Sequence, residues 1–369
     1  MIKKLDWYII KKLISTTVFM VLIFSVISGV VDSSEKADDF LKSGLSAYYI
    51  LTKYFAGFIP FIISMIFPLM VFLAVILFTS QMAGRSEIVA MLAGGVRFTR
   101  FLRPYLIGAI FLSGIFWYAT QYLIPKANVL RANFQSTYID SKSSYEIGQY
   151  LSKGSSFYIR VDSNTYAGIR NYDTASKTAY GGFFLDRLDS TGSKLAYNLR
   201  ADKMKWDTAT KKWKLENVME RKINGIEEKT THHKEMTINL KVKPSEIRPD
   251  KYLKDKMTTP ELKRFIRLEE SRGTEGLNDY KVERYRRDAT PVSVLLLTIM
   301  GAVIASRKIR GGSGLHMAFG IILAASFVVM DKFSLTFSTK GDLHPLIAAW
   351  MPNIIFGLVG IWLYRKAPK

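Results

Sequence analysis

The sequence contains no cysteine, which excludes disulfides, thiolate catalysis and cysteine-based metal centres. Any part folded outside a membrane must then be held by its core alone. Histidine is nearly as scarce, with only His232, His233, His316 and His344 present. The adjacent pair points to opposite faces of a strand, and zinc wants convergent ligands, so no metal site is expected. No G-x-x-x-x-G-K-[ST] stretch occurs, so the chain has no P-loop of its own for ATP. Gly311-Gly312-Ser313-Gly314 lacks the lysine and reads as a tight turn. No Ser/His/Asp triad or carboxylate pair stands out, and no nucleic-acid motif is visible. Neither an enzyme nor a nucleic-acid binder is expected.

What the chain has is apolar length. Of 369 residues, 49% are hydrophobic, yet mean hydropathy is only +0.09, because the apolar residues are gathered into blocks. Blocks at 13–31, 54–80, 104–125, 289–306, 315–330 and 344–364 are each suited to cross a bilayer as a helix, the fifth being short. The first is too long for a signal-peptide core and no small-residue cleavage site follows it. The expected fold is an α-helical polytopic membrane protein, six transmembrane helices split three and three, with an inserted extracytoplasmic all-β, jellyroll-like domain. Its expected divisions are a membrane half at 1–125, a β-domain at 126–257, a helical connector at 258–288 and a second membrane half at 289–369.

Charge sets the orientation. The net charge of +21 comes from 52 Lys+Arg against 31 Asp+Glu, and the short loops divide it unequally. Residues 1–12, 81–103, 307–314 and the tail carry 14 basic residues against Asp6 and Glu87, whereas 32–53 and 331–343 carry five basic and six acidic residues. Basic loops stay in the cytoplasm, so both termini are expected there and 126–285 outside. That outer region holds 31 Lys+Arg against 22 Asp+Glu, a surplus suited either to a solvated surface or to an anionic ligand.

Within it, residues near 157–161, 182–185, 195–199, 203–206, 213–218 and 235–242 alternate with period 2 between turn residues. Six or more short antiparallel strands imply a sandwich, jelly roll or open barrel. Asp207-Thr208-Ala209-Thr210 reads as a hairpin, and Tyr158 and Phe184 as inward positions. Thr259 then caps a helix with Pro260 first inside it. A second helical run at 279–288 follows and enters the fourth span.

No ionisable residue falls in mid-span, where proton relays and ion sites would show themselves; Asp331 and Lys332 sit at the end of the fifth. The energy source is therefore sought in another protein. Residues 85–95 are the place for it: Ser86 caps a short helix, Glu87 complements its N-terminus, Ile88, Met91 and Leu92 form one face, and Gly94-Gly95 end it. The same pattern suits a helix lying on the bilayer surface.

These residues resemble a known family. Leu5-Asp6-Trp7-Tyr8-Ile9, Arg85-Ser86-Glu87-Ile88-Val89-Ala90-Met91-Leu92-Ala93-Gly94-Gly95, Trp206-Asp207 with Lys212-Trp213-Lys214-Leu215, and 344–364 are similar to the F/G-type permeases of the bacterial lipopolysaccharide export ABC transporter (LptF/LptG), and closer to the G type. The resemblance implies a Gram-negative inner-membrane subunit without cofactor, working with a cytoplasmic ABC ATPase dimer that uses the ATP. It also implies a second permease of the family, a single-span periplasmic adaptor, a periplasmic bridge protein, lipopolysaccharide and membrane lipids. Arg85, Ser86, Glu87, Ile88, Met91, Leu92 and Gly94 match the coupling helix, with Glu87 and the Ile88/Met91/Leu92 face passing ATPase motion to the spans. Basic residues near the outer leaflet would meet the glycolipid phosphates: Lys42, Lys53, Lys126, Arg131 and Lys332. The chain departs from the pattern at Asp32, where the G type often has lysine; the nearest basic residues are Lys36 and Lys42. Two other readings remain: a lipoprotein-release or efflux permease, which usually has four spans, and a membrane-anchored sensor or scaffold with a β-domain.

Overall fold

The computed structural model describes residues 3–140, 157–170, 172–173, 176–225, 227–240, 244, 252–274, 276–307 and 313–367. Its helices are α1 (Lys4–Glu35), α2 (Ala37–Ser43), α3 (Ala47–Gly84), α4 (Glu87–Ala93), α5 (Phe98–Ile139), α6 (Leu253–Lys256), α7 (Thr259–Arg272), α8 (Asn278–Ala305), α9 (Ser313–Lys340) and α10 (Pro345–Arg365). The chain divides into two compact units, one of residues 1–135, 254–263 and 278–369, the other of residues 136–253 and 264–277.

In the first unit α1, α3, α5, α8, α9 and α10 are long and apolar enough to cross a membrane, as the six blocks imply. Several run past those blocks, because backbone hydrogen bonding continues where hydropathy stops. The carboxylate of Asp6 accepts from the Lys3 amide at 2.8 Å and starts α1 three residues into the polar N-terminus. Asp331 and Lys332 lie inside α9, which continues to Lys340, rather than at its end. α8 likewise joins the 279–288 run and the fourth span into one helix. Pro60, Pro68, Pro104, Pro291 and Pro352 sit within helices, and wide π-type turns at Leu51–Phe55 and Ala119–Leu123 let α3 and α5 absorb a residue each. α8 is the most enclosed helix; Val294, Ala302 and Val303 share one apolar cluster with Val75, Phe101 and Tyr105, and Leu297 and Met300 another with Phe72, Phe327 and Phe356. Gly57 allows α3 to touch α5: a Cβ there would meet the Ala127 carbonyl and the Arg131 amide at 2.6 Å. α1 and α9 leave most of their apolar surface uncovered, as helices facing lipid or a partner do.

The second unit is an antiparallel sheet of seven described strands: β1 (Phe157–Asp162), β2 (Thr165–Ile169), β3 (Tyr172–Asp173), β4 (Thr178–Leu188), β5 (Leu195–Asp207), β6 (Lys212–Asn224) and β7 (Glu227–Ile238). They pair in the order β1-β2-β4-β5-β6-β7, with β3 also on β4. The two segments expected at 195–199 and 203–206 are one strand. Leu199 and Ala201 are buried, then Met204, so the buried parity switches at Asp202. Opposite, Asn217 takes the left-handed conformation (φ 54°), its side-chain amide donates to Asp202, and burial passes from Trp213 and Leu215 to Val218. Asn tolerates that backbone, and the pair turns both strands over together.

β2 had no clear signal because Gly168 interrupts it. The gap is filled across the sheet: Gly168 is paired with Phe184, whose ring occupies the space a Cβ would take. Phe184 therefore lies on the face opposite Phe183 and Leu185, which are the inward residues, and its expected inward placement is corrected. The Tyr158 side chain lies outside the described residues, as do 241–242 at the end of the expected last strand. Asp207 holds the β5–β6 hairpin by accepting from Ala209 N at 3.0 Å and Thr210 Oγ1 at 2.8 Å. Thr258, rather than Thr259, caps α7: its amide and hydroxyl both donate to Glu261 and its carbonyl accepts from Leu262 N.

Candidate functional site

Chemistry in the membrane unit gathers at the two ends of the helix bundle. At one end, α4 follows α3 through Arg85 and Ser86. Ser86 adopts a left-handed backbone (φ 60°) and its side chain makes no capping bond, which corrects the expected cap: a capping side chain reaches the helix amides from an extended backbone. Ile88 is fully buried in the same cluster as Ile9, Leu13, Phe98 and Phe101, with Met91 and Leu92 packed at its edge. The apolar face of α4 is therefore seated on this chain's own spans. What it turns outward is Arg85, Val89, Ala90, Ala93 and Gly94, with Glu87 half-exposed and 3.9 Å from Arg85. Beside it Arg100 grips Asp6 with two hydrogen bonds of 2.6 Å, tying the start of α5 to the start of α1. Asp6 was read only as part of a motif; its role shows when residues 94 positions apart meet. Lys308, Arg310 and the first two glycines of 311–314 lie outside the described residues.

At the other end the expected basic residues separate into two kinds. Lys42 on α2, Lys53 on α3 and Lys126 on α5 are exposed. Arg131 is not: it is 6% exposed, stacks on Phe61 at 3.8 Å, and lies 3.8 Å from Asp255 and 3.4 Å from Gln135. The close approach at Gly57 encloses it against α3. Lys36 is likewise occupied, bonded to Asp32 at 2.5 Å and to the Tyr54 hydroxyl, while Tyr54 donates to Asp32 at 2.8 Å. The unexpected Asp32 is thus a clamp between α1 and α3.

Lys332 opens onto a basin of about 240 Å³ lined by Asn128, Asp255, Asp279, Glu283, Arg286 and Arg287. Arg287 bonds Glu283 at 2.9 Å and the carbonyls of Met257 (2.8 Å) and Lys254 (2.9 Å). Lys254 pairs with Asp279 at 2.6 Å, and Arg286 with Asp331 at 2.9 Å. Burial first, and then the charge of Glu283, push the Asp255 carboxyl up to about 6 against the pull of Lys254, Arg131 and Arg287. None of the α8 residues here was anticipated. Their only sequence signal is the run Glu283–Asp288, which resembles any solvated helix end.

With the geometry in place, comparison with known proteins decides the family. The model for the lipopolysaccharide export system permease LptF/LptG matches residues 7–366. The chain belongs to this family. It is 24% identical over 380 residues to the lipopolysaccharide export system permease protein LptG of Escherichia coli (strain K12), covering 98% of both chains. The protein of the same name from strain CFT073 matches to the same extent. As an LptF/LptG member the chain is a multi-pass transport permease, not an enzyme, with a strand domain inserted between its third and fourth spans.

Proposed function

We propose that this chain extracts lipopolysaccharide from the inner membrane as one of two paired permeases over a cytoplasmic ATPase dimer, and passes it through its β-domain to a periplasmic bridge. The observation that carries this reading is α4: a helix anchored inward by Ile88 leaves Arg85, Glu87, Val89, Ala90 and Ala93 for a soluble partner, and is locked to the spans it must move. Transport needs that rigidity, because motion reaches the spans only through an element that cannot slide on them. Ile88, Met91 and Leu92 thus couple α4 to the spans, and Gly94 closes it.

Lys42, Lys53 and Lys126, being exposed, are the residues of this chain suited to meet glycolipid phosphates, since a charge near a low-dielectric boundary is screened less than in bulk water. The apolar face of Ala167, Phe183, Leu199 and Trp213 suits an open jellyroll that accepts acyl chains. Both termini are then cytoplasmic, with a single-span adaptor and the bridge protein completing the assembly.

Reconstitution with the ATPase and partner permease tests the reading. Glycolipid should leave the vesicles only with ATP, and charge reversal at Lys42, Lys53 and Lys126 together should leave more of it behind. Unchanged extraction by the triple variant would move phosphate recognition to the partner permease. A failure of ATP to drive any release would favour a sensor or scaffold.

A further inference from the structure

A second, apolar hollow borders the basin. A crevice of about 90 Å³ lies between α3, α8, α9 and α10, lined by Met65, Ile66, Leu69, Phe327, Val328 and Pro352. It shares Met65, Arg286, Thr290 and Lys332 with the basin, so a charged chamber and a greasy one lie on either side of the same four side chains. That combination suits an amphiphile with a small polar head.

The basin's unmet groups say which head. Asn128 is 4% exposed and its amide donates to the Asp255 carbonyl at 3.2 Å, yet its Oδ1 has no partner among the described residues. Flipping the amide would set oxygen against oxygen, so the bare acceptor is fixed in place. A buried acceptor left alone costs about 1–3 kcal/mol, so the site favours a donor. Asp255 and Glu283 beside it add negative charge. Among the cations, Arg286 Nε has no partner among the described residues, and Lys332 makes no salt bridge there. Glu283 is already paired with Arg287 and Asp255 lies 3.8 Å from Arg131, so what the basin leaves open is an acceptor at Asn128 on one side and donors at Arg286 and Lys332 on the other.

We propose that this chamber and crevice hold a single phospholipid with a zwitterionic phosphate–ammonium head, the ammonium at Asn128, Asp255 and Glu283, the phosphodiester at Arg286 and Lys332, and the start of one acyl chain in the crevice. The site lies within one permease, formed by its own α3, α5, α6, α8, α9 and α10. At 240 Å³ the chamber is below the roughly 300–1,000 Å³ of pockets that enclose a drug-sized ligand, which admits a small head and excludes a phosphorylated disaccharide. The lipid would hold α8 and α9 together beside the Arg286–Asp331 ion pair that joins them.

Native mass spectrometry of the delipidated full-length chain, without ATPase or glycolipid, tests this apart from transport. Phosphatidylethanolamine should bind one equivalent about tenfold more tightly than phosphatidylglycerol, the difference that one charge-assisted contact makes. Asp255→Asn and Lys332→Gln should each lower phosphatidylethanolamine retention about tenfold; Lys332 is exposed, so its variant tests the site without threatening the fold. Raising the pH from 5 to 7 should strengthen retention, since the ammonium needs the ionised form of Asp255 among Arg131, Lys254, Glu283 and Arg287. Equal binding of both lipids, or wild-type retention by both variants, would overturn the site. Free phosphoethanolamine binding as well as the lipid would remove the crevice from it, and lipid A displacing the phospholipid would reassign the chamber to the transported glycolipid.

Discussion

Three ion pairs of the membrane unit and two on the sheet of the strand unit are held in opposite ways. Asp6–Arg100, Arg131–Asp255 and Arg287–Glu283 each have one side chain less than 10% exposed, whereas both partners of Lys203–Glu216 and Arg221–Glu228 are at least a third exposed. Asp6–Arg100 and Arg131–Asp255 tie one helix to another and Arg287–Glu283 braces α8 itself, whereas the two sheet pairs sit on a surface open to water. Breaking a buried pair strands a charge, at roughly 3–5 kcal/mol, while an exposed pair is worth about 0–1. The same chemical contact therefore matters in one unit and hardly at all in the other.

Arg287→Ala should show the largest effect, since it removes the partner of Glu283 and of two backbone carbonyls. A loss of about 4 kcal/mol is expected as a large fall in melting temperature of the purified protein. Arg287→Lys should restore less than half, because an ammonium cannot reproduce the planar fork. Asp255 adds a pH test: its carboxyl, pushed up to about 6, stays protonated in the fold where an unfolded aspartate has ionised. Stability should therefore fall as pH rises from about 4 to 6, by about 2 kcal/mol, and Asp255→Asn should flatten that slope. In the strand unit Gly168→Ala should cost about 1–3 kcal/mol by displacing the Phe184 ring, and the double change with Phe184→Ala should recover part of it. Lys203→Ala should cost less than about 1 kcal/mol; a larger loss would erase the contrast between the units.

The spans were legible because length and hydropathy suffice to find them. Their ends were not, since Asp6, Asp331 and Lys332 are helical despite being charged. The strands were legible where alternation held, at Trp213 and Leu215, and were broken up where Asp202 and Asn217 turn the sheet over. β2 was hidden because its support comes from Phe184 on another strand. In the candidate site, α4 was readable as one stretch of sequence, although which face it buries was not. The ionic basin was invisible because residues from 128, 254–255, 279–287 and 332 converge only in the fold. Arg131 was noticed for its charge but not for its burial, as nothing local tells an exposed arginine from one stacked on Phe61.

On the proposed function α4 receives force through its outward face while Ile88 fastens it to the spans. Copurification of the cytoplasmic ATPase with a Val89→Asp/Ala93→Asp variant tests it most directly, because both side chains are exposed and the fold should be untouched. The variant should insert normally and melt as wild type but bring down no ATPase. Wild-type recovery of the ATPase by that variant would contradict it.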